Sequence, residues 1–178
     1  MSAERKCLST DRLVTFVVDR IARVVRSRSG RGENTLVLTC AGRTPRAIYR
    51  GLASGVLSET EWATVHFGST DEFSPTEERP NTNAADLEEM FFRDAVASGL
   101  IPAKNIHWFE PSGDWSTTLP LYEQELLSIT GGINIVLLGT GGGPFWPGSA
   151  VDPGHVAGIM PGHPELWRPE AGRFAVIQ

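Results

Sequence analysis

Four short stretches of the chain carry residue types able to do chemistry. In Cys40-Ala41-Gly42-Arg43-Thr44-Pro45 a glycine turn leads into a helix-starting proline. Backbone N–H groups and the positive end of a helix dipole would form an anion site there, with the Thr44 hydroxyl and the Arg43 guanidinium suited to phosphate. An ordinary capped turn between strand and helix has the same composition. Asp71-Glu72 sets two carboxylates side by side, offering either a general base or a solvated acidic loop. Gly139-Thr140-Gly141-Gly142-Gly143 is part of a dinucleotide fingerprint, but Pro144 replaces the third glycine and no Walker lysine follows. Its glycines would instead let the backbone approach a ligand closely or donate N–H groups to an oxyanion. Asp152-Pro153-Gly154-His155 holds a histidine, the side chain that titrates near neutrality and a natural general base.

Other chemistries fit less well. The spacing of His155 and His163 matches no standard zinc pattern, so no metal is expected. His66 and His107 fall inside strand-like segments and are expected to be structural. A Gly-x-Ser-x-Gly elbow is absent, which argues against a serine hydrolase of that type. Cys7 and Cys40 lie far apart with no Cys-x-x-Cys, the usage of a reducing cytosol.

The elements that must position these residues follow from periodicity. Leu13, Phe16, Val17, Ile21, Val24 and Val25 recur at helical spacing and predict a helix over Thr10 to Ser27. Thr35 to Cys40 is a continuous β-forming run, suited to a strand buried on both faces. A helix to about Leu52 follows, with Thr44 at its N-cap and Pro45 at its first position. Trp62 to Phe67 reads as a second strand, Gly68 to Pro80 as a polar loop, and Asn83 to Ser98 as a helix. Asn105 to Phe109 reads as a third strand and Leu119 to Ile129 as a helix closed by Gly131-Gly132. Ile133 to Leu138 is a fourth strand. This alternation predicts a mostly parallel sheet with helices on both faces, and ligands in loops beyond the C-terminal strand ends. Residues 139–164 read as a long Gly/Pro-rich loop, the kind that is usually functional or disordered. Arg173 to Ile177 reads as a last strand with no helix to cover it. Such a strand offers an edge through which a homo-oligomer could form.

Composition bounds the function. The 178 residues suit one domain, and 40% hydrophobic with 21% charged residues is ordinary for a globular chain. A net charge of −5 argues against a general nucleic-acid binder, yet leaves room for a small anionic substrate. No apolar run approaches the ~20 residues that a membrane helix needs, and the N-terminal stretch lacks a signal-peptide pattern. No membrane association and a cytoplasmic address are therefore expected.

The order of these blocks resembles the 6-phosphogluconolactonase and glucosamine-6-phosphate deaminase superfamily. Leu36-Val37-Leu38-Thr39-Cys40-Ala41-Gly42-Arg43-Thr44-Pro45 looks like that family's strand and Gly-Gly-Ser-Thr-Pro sugar-phosphate loop, followed by Ile48-Tyr49 on the helix. Asp71-Glu72-Phe73 looks like its Asp-Glu-Arg/Tyr motif, and Pro80-Asn81-Thr82-Asn83 resembles the Asp-Ser-Asn that opens its next helix. Ile135-Val136-Leu137-Leu138-Gly139-Thr140-Gly141 looks like its Leu-Gly-x-Gly strand end. Gly154-His155-Val156-Ala157 and Met160-Pro161-Gly162-His163-Pro164 look like its Asp-Gly-His-x-Ala-Ser-Leu-Phe-Pro-Gly block, which favours the lactonase branch. Arg43 stands where the family has Ser or Gly, Pro153 stands where it has Asp, and the family fold continues beyond the point where this chain stops.

The resemblance implies a Rossmann-like α/β domain over residues 1–178 that lacks the C-terminal part of the family fold. It implies hydrolysis of a phosphorylated sugar lactone, as in pentose phosphate carbohydrate metabolism, with no cofactor. Ala41, Gly42, Arg43 and Thr44 would grip the phosphate, and His155 would activate water. Backbone N–H groups around Gly139 and Gly141 would hold the oxyanion, with Gly154 beside the base, and Asp71 would orient sugar hydroxyls or His155. Two alternatives stay open. One is aldose–ketose isomerisation with deamination, Asp71 shuttling the proton. The other is a non-catalytic binding protein on a shortened scaffold, with Phe145 and Trp146 serving a partner.

Overall fold

The computed structural model describes residues 9–73, 77, 81–109, 115–137, 155–158 and 175–176. Helix α1 (Thr10–Ser29) leads into β1 (Thr35–Thr39), α2 (Arg43–Ala53), the single turn α3 (Glu59–Trp62) and β2 (Val65–Ser69). Next come β3 (Asp71–Phe73), α4 (Asn83–Leu87), a π-helical turn Glu88–Phe92, α5 (Arg93–Ala97), a 3-10 turn Ala103–Asn105 and β4 (Ile106–His107). Helix α6 (Trp115–Thr130), β5 (Ile135–Val136), β6 (His155–Gly158) and β7 (Ala175–Val176) complete the order.

Four strands form a parallel sheet in the order β4-β2-β1-β5. The expected α/β sheet with helices on both faces is what forms. Side chains alternate across a strand, so β1 feeds two cores. Val37 joins Phe67, Val65 and the buried faces of α1, α2 and the α4–α5 helix, among them Ile21, Val25, Tyr49, Leu52 and Phe92. Leu36 and Leu38 point the other way, to Leu119, Tyr122 and Leu126 of α6 and to Phe109. Gly68 lets α6 approach. A Cβ there would lie 2.9 Å from Tyr122 Oη, closer than real Cβ atoms come, and a tight 3.0 Å from Leu38 Cδ2.

Several boundaries differ from expectation. Trp62 is fully buried at the end of α3, not on a strand. A capping box fixes that turn, because Ser58 Oγ accepts from Glu61 N and Glu61 Oε2 accepts from Ser58 N. The strand β2 therefore starts three residues later. Among the described residues of the run Ile133 to Leu138, only Ile135 and Val136 are register partners of β1, with Asn134 N and Leu137 N also donating to β1 carbonyls, and Val136 is 38% exposed. Within 139–164, expected as a loop, His155–Gly158 is a strand. The last strand, expected to stand uncovered, pairs antiparallel with β6 and lies beside α6.

The two strand histidines are structural, and they are coupled. His107 Nδ1 lies 2.7 Å from Glu125 Oε1 on α6, so Nδ1 carries the donated proton. His107 Nε2 is then the acceptor for His66 Nδ1–H at 3.0 Å, and the rings stack at 5.3 Å. Burial first, then the neighbouring His107 and Lys104, pull His66 down to about 4 from its ordinary 6.5. Between those two values the unfolded chain binds a proton that the folded chain refuses, so stability falls as pH drops through that window. Thermal melts across pH 7 to pH 4 are expected to show a Tm loss of about a few degrees attributable to this group. Most of that loss is expected to vanish in His66→Gln.

Candidate active site at the C-terminal sheet edge

The site begins where β1 ends. Thr39 Oγ1 donates to the Gly68 carbonyl at 2.9 Å, and Thr70 N donates to the Thr39 carbonyl at 2.8 Å. These bonds tie the C-terminal ends of the two central strands together. The carbonyl of Cys40 accepts from the Tyr49 hydroxyl at 2.8 Å, which anchors the start of the exit loop to the body of α2. Burial pushes the Tyr49 hydroxyl far up, so it remains a donor. Tyr49 is itself walled by Phe91 and Phe92, with ring centroids 5.8 and 5.5 Å away.

The loop then turns at Gly42, whose φ of 119° lies in the region that favours glycine. Helix α2 starts at Arg43, so the cap is Gly42 and not Thr44. Pro45 falls at the third helical position, which is tolerated because its missing N–H has no partner inside the helix. Gly42 has no side chain to cap α2, so the first amides of an 11-residue helix are left for another acceptor. Ala41 is half-buried and Gly42 exposed.

The expected loop Gly68 to Pro80 is also revised. Gly68 and Ser69 finish β2, and Asp71–Phe73 form β3 of a second, antiparallel sheet in the order β3-β6-β7. Glu72 is fully buried. Its Oε1 accepts from Asn83 N at 2.5 Å and its Oε2 from Ala84 N at 3.0 Å. Thr82 Oγ1 takes the next amide, that of Ala85. Glu72 thus caps the start of α4 with both carboxylate oxygens. Asp71 has a different setting. It is only half-buried, with Oδ1 2.6 Å from Thr70 Oγ1 and Oδ2 2.8 Å from Asn83 Nδ2.

Strand pairing brings the remaining site residues in. Phe73 is the register partner of His155, Glu72 of Ala157 and Asp71 of Gly158, with an irregularity between Glu72 and Phe73. Asp71 and His155, 84 positions apart in sequence, thus sit on neighbouring strands, offset by about 7 Å along the strand direction. Tyr122 supports this edge from α6. Its hydroxyl accepts from Ser69 N at 2.9 Å and donates to the His107 carbonyl at 3.0 Å, and burial keeps it protonated.

The sheet order explains why these loops meet. The chain passes from β1 to β2 to β4, then crosses back to place β5 on the free side of β1. A crevice opens at such a switch point, beyond the strand ends. Leu137 N donates to the Leu38 carbonyl at 2.9 Å, so the chain still runs alongside β1 at Leu137. Gly139, Gly141 and Gly154 themselves, and the side chains of Arg43, Thr44 and His155, lie outside the described residues. Among the described residues no group of three His, Cys, Asp or Glu could hold a metal ion, and no helix is long and apolar enough to cross a membrane.

Sequence reasoning missed Thr70, Tyr122, the anchoring role of the Tyr49 hydroxyl and the split between the two carboxylates. Thr82 at a helix start was the one legible signal, since Thr is a preferred N-cap.

The sequence matches the family model of the glucosamine-6-phosphate isomerases/6-phosphogluconolactonase over residues 8–178. The chain belongs to that family. Among its relatives is the 6-phosphogluconolactonase of Thermotoga maritima, 28% identical over 153 residues, which are 86% of this chain and 62% of the relative. The chain therefore spans less than two thirds of that relative's length. The crystal structure of a Thermotoga maritima 6-phosphogluconolactonase superposes with a TM-score of 0.57 at 26% identity, over 72% of this chain and 56% of that one. The 6-phosphogluconolactonase of Leishmania guyanensis shares the fold, with a TM-score of 0.58 at 20% identity over 97% of this chain and 74% of that one.

Proposed function

We propose that this family member hydrolyses a phosphorylated sugar lactone, 6-phosphogluconolactone to 6-phosphogluconate. The observation that carries the reading is the β3–β6 pairing, which brings the strand of His155 beside Asp71 at the edge where the uncapped α2 begins. Membership of the family supports it, as does the likeness to lactonases. His155 would take a proton from a water molecule as its oxygen attacks the lactone carbonyl. Backbone N–H groups around Gly139 and Gly141 would hold the oxyanion, each donor being worth about 3 kcal/mol. Collapse breaks the bond between carbonyl carbon and ring oxygen, and the ring oxygen leaves with the proton returned by His155. Ala41 to Thr44 would bind the phosphate, Gly154 would admit the ligand beside the base, and Asp71 would order sugar hydroxyls. The reading takes residues 1–178 as one domain in the cytoplasm and needs no cofactor.

The test is calorimetric titration with 6-phosphogluconate, followed by lactone turnover. Binding is expected at millimolar ligand or below, and is expected to disappear in the Arg43→Ala, Thr44→Ala double variant. No binding by the wild-type chain would reduce the lactonase reading to ancestry. Isomerisation of glucosamine 6-phosphate with deamination is the runner-up, carried by the family's own breadth. Ammonia release from that substrate would favour it. A homo-oligomer through β7 stays a separate proposal, supported by the position of β7 at the end of its small sheet.

A further inference from the structure

The geometry points to Asn83 as a positioning residue that, together with Thr70, fixes the carboxylate of Asp71 for substrate. This rests on the lactonase reading of Asp71 given above. Asn83 is 3% exposed, and a buried amide is costly unless its hydrogens are used. Its Nδ2 carries two hydrogens. One goes to Asp71 Oδ2 at 2.8 Å and the other to the Asp71 carbonyl at 3.1 Å. A single side chain therefore holds both the backbone and the carboxylate of Asp71.

The second hold is Thr70. Its hydroxyl has one proton and two acceptors in reach, Asp71 Oδ1 at 2.6 Å and the Thr39 carbonyl at 3.1 Å. The shorter, charge-assisted contact takes it. Among the described residues, each oxygen of the Asp71 carboxylate thus accepts from a neutral donor, Oδ1 from Thr70 and Oδ2 from Asn83. A carboxylate has about four lone-pair sites, so it keeps the capacity to accept hydroxyl groups of a sugar.

Glu72 supplies the base of this clamp. It takes the main-chain amides of Asn83 and Ala84, and so seats the first residue of α4 against β3. The division of labour separates a structural reading from a functional one. Glu72 already supplies the anionic cap that α4 needs, and Asp71 accepts none of the first three amides of that helix. The Asn83 side chain instead serves a carboxylate that is only half-buried, at the sheet edge.

The test uses the full chain with 13C-labelled aspartate, following the Asp71 carboxyl resonance against pH, beside steady-state lactone hydrolysis. In Asn83→Ala the titration midpoint of Asp71 is expected to rise by about one unit over wild type, since a donor to the charged form is lost. The value of kcat is expected to fall by about tenfold with KM within about twofold, and the acid limb of the rate profile to follow the midpoint. Asn83→Asp keeps the shape and decides the matter if Asn83→Ala does not fold. There two carboxylates must share a proton, and the upward shift is expected to be larger. An unmoved Asp71 midpoint in a folded Asn83→Asp variant overturns the proposal, whatever the activity. A shifted midpoint in a chain that hydrolyses no lactone keeps the positioning role and removes the lactonase reading.

Discussion

His155→Ala is expected to lower kcat for lactone hydrolysis by about 100-fold or more, with substrate affinity changed by less than about threefold. General-base catalysis contributes about 10²–10⁴ in rate when the base is held within reach of its proton. The phosphate, by contrast, would be held by the Ala41 to Thr44 turn and the start of α2. Those groups belong to a different strand and a different sheet, so losing the imidazole leaves them in place. Steady-state kinetics on the purified variant would show the split directly. An unchanged kcat would sink the assignment of His155, and an equal loss in kcat and affinity would mean that the β3–β6 pair had come apart.

Glu72→Ala is expected to cost about 3 kcal/mol of stability. The carboxylate is fully buried and accepts two main-chain amides of α4. Its removal leaves one buried and one part-buried donor without this acceptor and takes a carboxylate from a helix N-terminus, together a penalty of about 3 kcal/mol. Glu72→Gln is expected to lose about half as much, because one oxygen remains while the other amide faces a donor. Urea unfolding would read this as a lower midpoint with an unchanged m-value. Wild-type stability in both variants would mean that Asn83 and Ala84 find water instead. Adjacent carboxylates in one dipeptide thus have separate settings, Glu72 buried on the amides of α4 and Asp71 half-buried at the sheet edge.

That separation was not legible in Asp71-Glu72 itself. Two acidic residues after a strand say nothing about which of them meets the amides of a helix eleven positions later. Legible were the things that local patterns decide: the β-forming run of β1, the amphipathic face of α1, the alternation that makes a parallel sheet, and the block order around Gly42, Asp71 and His155. Misread were the places where tertiary packing overrides a local pattern. Trp62 looks like a strand residue, yet it closes a capped turn and plugs the core. Its capping box, Ser58 to Glu61, was readable. Ile133 to Leu138 reads as one clean strand, yet among its described residues only Ile135 and Val136 are register partners of β1, and β5 is the outer strand of the described parallel sheet. The coupling of His66, His107 and Glu125 joins two strands and a helix across 59 positions, and no short-range signal announces it.

The wide turn at Glu88–Phe92 bears on how this protein tolerates changes in chain length. A π turn stores one residue more than the α repeat requires, and the surplus is absorbed before the next turn begins. Leu87 and Ala95 on either side are both buried, so the flanking turns keep a common phase. Loss of one residue here would return the segment to a plain α-helix without rotating Ala95 out of the core. What would go is the juxtaposition of Phe91 and Phe92, two successive rings that both lie against Tyr49. Since Tyr49 holds the carbonyl of Cys40, a shortened helix would keep its fold and loosen the floor beneath the Gly42 turn. Length variation in this family is therefore expected to be silent for stability at this turn and audible in phosphate affinity.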